Sequence, residues 1–269
     1  MKIRPHFLLS VAFLAFTGSV SAQARYTHSH NDYANNTPFY KAFYNGFNSI
    51  EADIFLVNGT LLVSHSDKYL EPERTLKGMY LDPVLYALHL DTTRRVCLLI
   101  DIKDDHQRTL PALVKALEPL KRYLMSKENP SGRLKILISG NRPLPSAYKN
   151  YPSILWFDDD LVYPHTPIEW DRVGQVSLNF EKWSKWKGVG TIPAADMSRL
   201  KKTVDSVHTN VGKLVRFWGA PDTQESWNTQ IDFSADIIGT DHIEQLSGYL
   251  GKRSLRQPVT AVIPNKLKK

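Results

Sequence analysis

Short apolar runs and longer amphipathic stretches take turns along this chain. The runs at 26–30, 49–56, 96–103, 134–139, 153–157, 175–179, 213–218 and 235–240 have the length and composition of buried strands. Between them, apolar positions at helical spacing mark 38–45, 84–90, 110–125, 196–210, 224–233 and 242–249. The pattern is clearest where Leu110, Leu113, Val114, Leu117 and Leu120 share one face and Lys115, Glu118 and Lys121 fall on the other. Strand signals alternating with helices predict an α/β protein with a parallel sheet. In a single unit of 269 residues this means a closed (β/α)8 TIM-type barrel. No internal repeat, low-complexity tract or linker divides the chain. The proline-bearing stretch 141–152 reads as a loop.

The first residues change the picture of where this barrel works. Lys2 and Arg4 precede an apolar run from Phe7 to Phe16 and the small residues Val20, Ser21 and Ala22. That order predicts a secretory signal at 1–22, cut after Ala22, leaving 23–269 as an exported domain, secreted or periplasmic. The only cysteine, Cys97, excludes an intrachain disulfide. The formal net charge is +7, and loss of Lys2 and Arg4 reduces the excess. Scattered basic residues with no aromatic-interleaved stripe argue against nucleic acid. They are compatible with an anionic small molecule or peripheral membrane contact.

Candidate chemistry gathers between Arg25 and His65. On a strand, residues two apart face the same way, so Glu51 and Asp53 point together, as do His28 and His30. Asp101 and Lys103 repeat the geometry on the next parallel strand signal. His65 closes the hairpin-like LVNGTLLVSH, whose Asn58-Gly59 is a turn signal. If the strands are neighbours, Glu51, Asp53 and Asp101 converge at the C-terminal mouth of the barrel. An all-oxygen set suits one hard divalent cation, Ca²⁺ or Mg²⁺, better than zinc. On spacing alone, the same acids could be a solvated edge or salt-bridge partners, and a single histidine is more often structural.

The ordered set HSHND, NNTP, FNSIEAD, NGTLLVSH and LLIDIK resembles the glycerophosphodiester phosphodiesterase and phosphatidylinositol phospholipase C superfamily, in a little-characterised branch that opens with HSHND. VRFWGAPD and ADIIGTDHIEQL resemble its last two strands. The resemblance implies phosphodiester hydrolysis of a small-molecule or lipid-derived substrate. Glu51, Asp53 and Asp101 would hold the cation, Lys103 would contact the phosphate, and His65 would be one acid/base residue. His28 occupies the motif's first position and is preferred over His30 as the other. Ser29 stands where an arginine is usual, Asp101 where a glutamate is, and the span from Asp53 to His65 is one residue shorter.

Arg216, which shares a strand face with Trp218, could replace the missing arginine at the phosphate or merely pair with an acid. Trp218 could stack on substrate or fill the mouth. Asn31 and Asp32 could orient the histidines or cap the following turn. Asp241 is expected to cap the last helix. Two other classes stay open: a barrel that binds a phosphorylated headgroup or glycan without turnover, and a zinc hydrolase built on H-x-H. The fifth and sixth strand signals supply none of the further histidines a zinc site needs.

Overall fold

A computed structural model describes residues 26–256; the expected signal at 1–22 and the C-terminal KLKK lie outside the described residues. The strands are β1 (Tyr26–Ser29), β2 (Ser49–Val57), β3 (Thr60–Val63), β4 (Val96–Ile102), β5 (Leu134–Gly140), β6 (Leu155–Asp159), β7 (Val173–Asn179), β8 (Val215–Trp218) and β9 (Ile237–Thr240). The helices are α1 (Tyr40–Tyr44), α2 (Asp82–Leu90), α3 (His106–Ala116), α4 (Pro167–Trp170), α5 (Ala194–Val211), α6 (Gln224–Asp232) and α7 (Ile243–Arg256).

Eight of the strands pair in parallel in the order β1-β2-β4-β5-β6-β7-β8-β9. β1 also pairs with β9, so the sheet closes on itself as a (β/α)8 barrel. β3 is an addition, folded back antiparallel on β2. The turn between them holds Asn58 at φ 49 and Gly59 at φ 82, the two left-handed residues that a tight hairpin turn with the strands' own twist requires.

Alternation along the strands separates structure from chemistry. On β2, Ile50, Ala52 and Ile54 join the apolar layer under the helices, while Ser49, Glu51 and Asp53 face the barrel interior and are also buried. A strand buried along its first six residues, with a polar inner face, needs partners for every carboxylate there. This demand organises the site.

The helical layer is uneven. The helix expected over 110–125 stops at Ala116 and continues as a 3₁₀ segment, Glu118–Tyr123. Pro119 lacks the N–H for the next helical bond and its ring clashes with the preceding turn. Between β5 and β7 the covering is only a 3₁₀ turn, Pro145–Asn150, and the four-residue α4, which the apolar periodicity does not announce. A cavity of about 880 Å³ lies there, on the outside of the barrel, lined by Trp156, Ile168 and Lys213 among others. None of the clustered carboxylates lines it.

Candidate active site

A cavity of about 350 Å³ opens at the C-terminal ends of the strands. β2 and β4 run with Asp53 level with Asp101, and Glu51, Asp53 and Asp101 each offer an oxygen within 4.8 Å of the others. Three carboxylates so close, and largely out of water, repel one another. Burial, then the charge of Glu51, pushes Asp53 above the usual carboxylate range. Burial lifts Asp101 to about 6 although Lys103 pulls it down. Burial also penalises Glu51, but the hydrogen bond from His28 and the charge of Arg216 outweigh it and hold the carboxyl down at about 2.

The oxygens divide their labour. Asp53 Oδ2 accepts from the Tyr33 hydroxyl at 2.8 Å, from His65 Nδ1 at 3.0 Å and from Lys103 Nζ at 2.9 Å. Asp101 Oδ2 takes the same Lys103 at 3.2 Å. Asp53 Oδ1 and Asp101 Oδ1 are buried without a hydrogen-bond partner among the described residues. Bare buried oxygens on adjacent strands are costly alone and are the donor set of a hard divalent cation. The residues present therefore fit Ca²⁺ or Mg²⁺.

Gly140, at the end of β5, makes the position of Asp101 possible. Its φ is +67, and an added Cβ would come closer than 3.0 Å to Asp101 Oδ1 and to the backbone of Ile102. A side chain there would displace the carboxylate.

The three histidines have different surroundings. His28 is fully buried, with Nδ1 at 2.8 Å from Ser49 Oγ and Nε2 at 2.8 Å from Glu51 Oε2. Burial and the charge of Arg216 bring it down to about 4. It is a neutral ring with both nitrogens engaged, donating to Glu51. His30 lines the cavity instead. Its Nδ1 lies 2.8 Å from Asp241 Oδ1, and since a carboxylate only accepts, Nδ1 carries the hydrogen and Nε2 is left for another partner. Burial lowers its pKa, but the bond to Asp241 and the charge of Glu51 raise it more, to a value above the ordinary one. His65 is exposed and fixed through Nδ1 by Asp53. Both cavity histidines are thus held in one tautomer by a carboxylate.

The remaining candidates sort themselves by contact. Asn31, at φ 47, places its amide beside His30 and its Oδ1 2.6 Å from the Tyr33 hydroxyl oxygen. The Asp32 carboxylate ties the loop together through Ser29, Tyr80 and the Phe39 N–H. Arg216 is buried, 3.6 Å from Glu51 Oε2, and its buried Nε has no hydrogen-bond partner among the described residues. Trp218 stands 45% exposed at the rim, so it does not fill the mouth. Trp183 lines the cavity, and both it and Trp186 pack against the core. Asp241 holds His30, while Thr240 Oγ1 accepts the His242 N–H ahead of α7.

Sequence reasoning missed Tyr33, the Asp241–His30 contact, Gly140 and Asp158. Asp158 is buried on β6, lines the same cavity and is lifted to about 6 by that burial, against the pull of Arg216. Their shared signal is position: each lies on or shortly after the C-terminal end of a barrel strand.

The fold and this constellation define a phosphodiesterase-type barrel. A family model described as an AIM6-like phosphodiesterase domain matches residues 16–92, which contain both cavity histidines and two of the three carboxylates. The chain belongs to the family of altered inheritance of mitochondria protein 6. The Eremothecium gossypii member is 32% identical over 281 residues, covering 82% of this chain and 68% of the relative. The Arthroderma benhamiae homolog is 28% identical over 267 residues, covering 82% of each. In fold, the chain is similar to a glycerophosphodiester phosphodiesterase from Parabacteroides distasonis, with a TM-score of 0.55 and 14% identity, covering 85% of this chain and 98% of that one.

Proposed function

We propose that this protein is an exported, metal-dependent phosphodiester hydrolase acting on a glycerophosphodiester or phospholipid-headgroup type of substrate. One observation carries the reading. Asp53 and Asp101, each with one buried oxygen that no described residue satisfies, line the same cavity as two histidine rings, each fixed through Nδ1 by a carboxylate. Export rests on the signal-like order of residues 1–22.

Glu51, Asp53 and Asp101 would hold one Ca²⁺ or Mg²⁺, which when bound supplies charge neutralisation at a nonbridging phosphate oxygen. Lys103 and Arg216 add positive charge on the cavity wall, where it stabilises the negative charge of the phosphoryl group. His65 takes the proton of the attacking hydroxyl, from water or from the substrate itself, as the new O–P bond forms. His30, kept protonated to higher pH by Asp241, gives its proton to the leaving oxygen as the old P–O bond breaks. His28 positions Glu51 rather than meeting substrate, because neither of its nitrogens is free. Trp218 offers an exposed ring for the headgroup at the rim.

Phosphorus NMR of the purified chain with glycerophosphodiesters tests this reading. Conversion of diester to monoester or cyclic phosphate should stop after chelation and return with Ca²⁺ or Mg²⁺. Tight binding without turnover under every ion condition would instead identify a headgroup-binding barrel.

A further inference from the structure

The loop leaving β6 is built to hold apolar side chains in water. Leu161, Val162 and Tyr163 follow the strand almost directly and are 40, 58 and 50% exposed. Leu161 stands at φ 62, a left-handed conformation that is strained for a non-glycine residue. The backbone is locked there from beneath. Asp159 Oδ1 accepts the Leu161 N–H at 2.8 Å, and Asp160 Oδ1 accepts the Val162 N–H at 3.2 Å. Asp160 is in turn held by Arg142, from the loop after β5, at 3.0 Å. A strained turn, braced by two carboxylates, that exposes three large apolar residues in succession calls for a partner.

The surroundings say which. Arg142, Asp159 and Asp160 line the cavity at the barrel mouth, so the apolar tip sits on its rim. The neighbouring strand ends contribute more exposed apolar groups: Leu144 after β5, Val189 after β7 and Trp218 ending β8. The loop after β7, FEKWSKWKGVG, carries three lysines against one glutamate, and all three lysines are exposed. Apolar tips on separate loops with basic residues between them match an anionic lipid surface. A protein seated on those loops would close the cavity they surround, whereas a bilayer can itself present the diester.

We propose that this rim docks on bilayers containing anionic lipid, with Leu161, Val162 and Tyr163 entering the headgroup boundary. As the route by which a lipid-derived diester reaches the site, this rests on the phosphodiesterase reading; as a binding event it does not.

The test is co-sedimentation of the full chain, in chelator, with vesicles of phosphatidylcholine alone or mixed with phosphatidylglycerol. Wild type and variants share residues 1–22, so their difference reports the rim. Wild type should bind the mixed vesicles more tightly. Val162→Ser with Tyr163→Ser should weaken that binding by about tenfold or more. Lys185→Gln with Lys187→Gln should weaken it several-fold and reduce its salt dependence. Both variants should keep wild-type melting and wild-type turnover of a soluble diester. Absent binding, or binding unchanged in both variants, overturns the proposal. So does concentration-dependent self-association abolished by Val162→Ser with Tyr163→Ser, which would assign the face to a second copy. Turnover without vesicle binding sinks the docking alone, and vesicle binding without turnover sinks the phosphodiesterase reading alone.

Discussion

Two residues outside the proposed ligand set shape its surroundings. The first is Gly140, whose missing side chain leaves room for Asp101 Oδ1. Gly140→Ala should weaken Ca²⁺ or Mg²⁺ binding by about tenfold or more, because an alanine at φ +67 is strained and pushes the carboxylate away. Titration calorimetry reads the affinity. Adding Gly140→Ala to an Asp101→Asn chain should cost nothing further if the glycine acts through Asp101. The second is Asp241. His30 has a raised pKa, so its acid form persists to higher pH, and with His30 as the proposed acid, activity should fall as pH rises through that pKa. Asp241→Asn removes the nearest stabilising charge and should move the alkaline limb of the kcat/KM profile to lower pH. An unmoved limb would separate His30 from the proton that limb reports.

The β2–β3 hairpin links local conformation to the proposed chemistry, since it folds the chain back to bring His65 onto Asp53. Its register depends on the turn at Asn58 and Gly59. Gly59→Val should destabilise the protein by roughly 1–2 kcal/mol in a denaturant melt, because a β-branched residue is forced to φ near +80. Turnover should fall by more than the melt accounts for, as His65 loses its seat. The hairpin and all eight barrel strands were legible in the sequence because buried strands announce themselves by apolar runs, and Asn-Gly has one favoured use. The helix over 110–125 was overextended because apolar periodicity runs on past Pro119, which ends the hydrogen bonding without disturbing the spacing. The four-residue α4 is too short to show a period at all.

Closure of the barrel brings together residues that are remote in sequence, and this is where sequence reasoning stopped. Glu51, Asp53, Asp101 and Lys103 were readable because strand alternation fixes their face and neighbouring parallel strands fix their height. The contact of Asp241 with His30 spans 211 residues and exists only because β9 pairs with β1. The same pairing frames the choice between His28 and His30, which spacing puts on one face: the strand ends at Ser29, and Asn31 at φ 47 turns the chain. His28 is left inside, bonded to Ser49 and Glu51, and His30 reaches the mouth. The most direct measurement compares His30→Ala with His28→Ala in phosphodiester turnover, with ion affinity measured alongside. His30→Ala should lower kcat by roughly 10²–10⁴-fold with ion affinity and melting unchanged. His28→Ala should instead reduce stability and ion affinity by loosening Glu51. Near-wild-type turnover by His30→Ala, with turnover lost in a folded, ion-binding His28→Ala chain, would contradict the account.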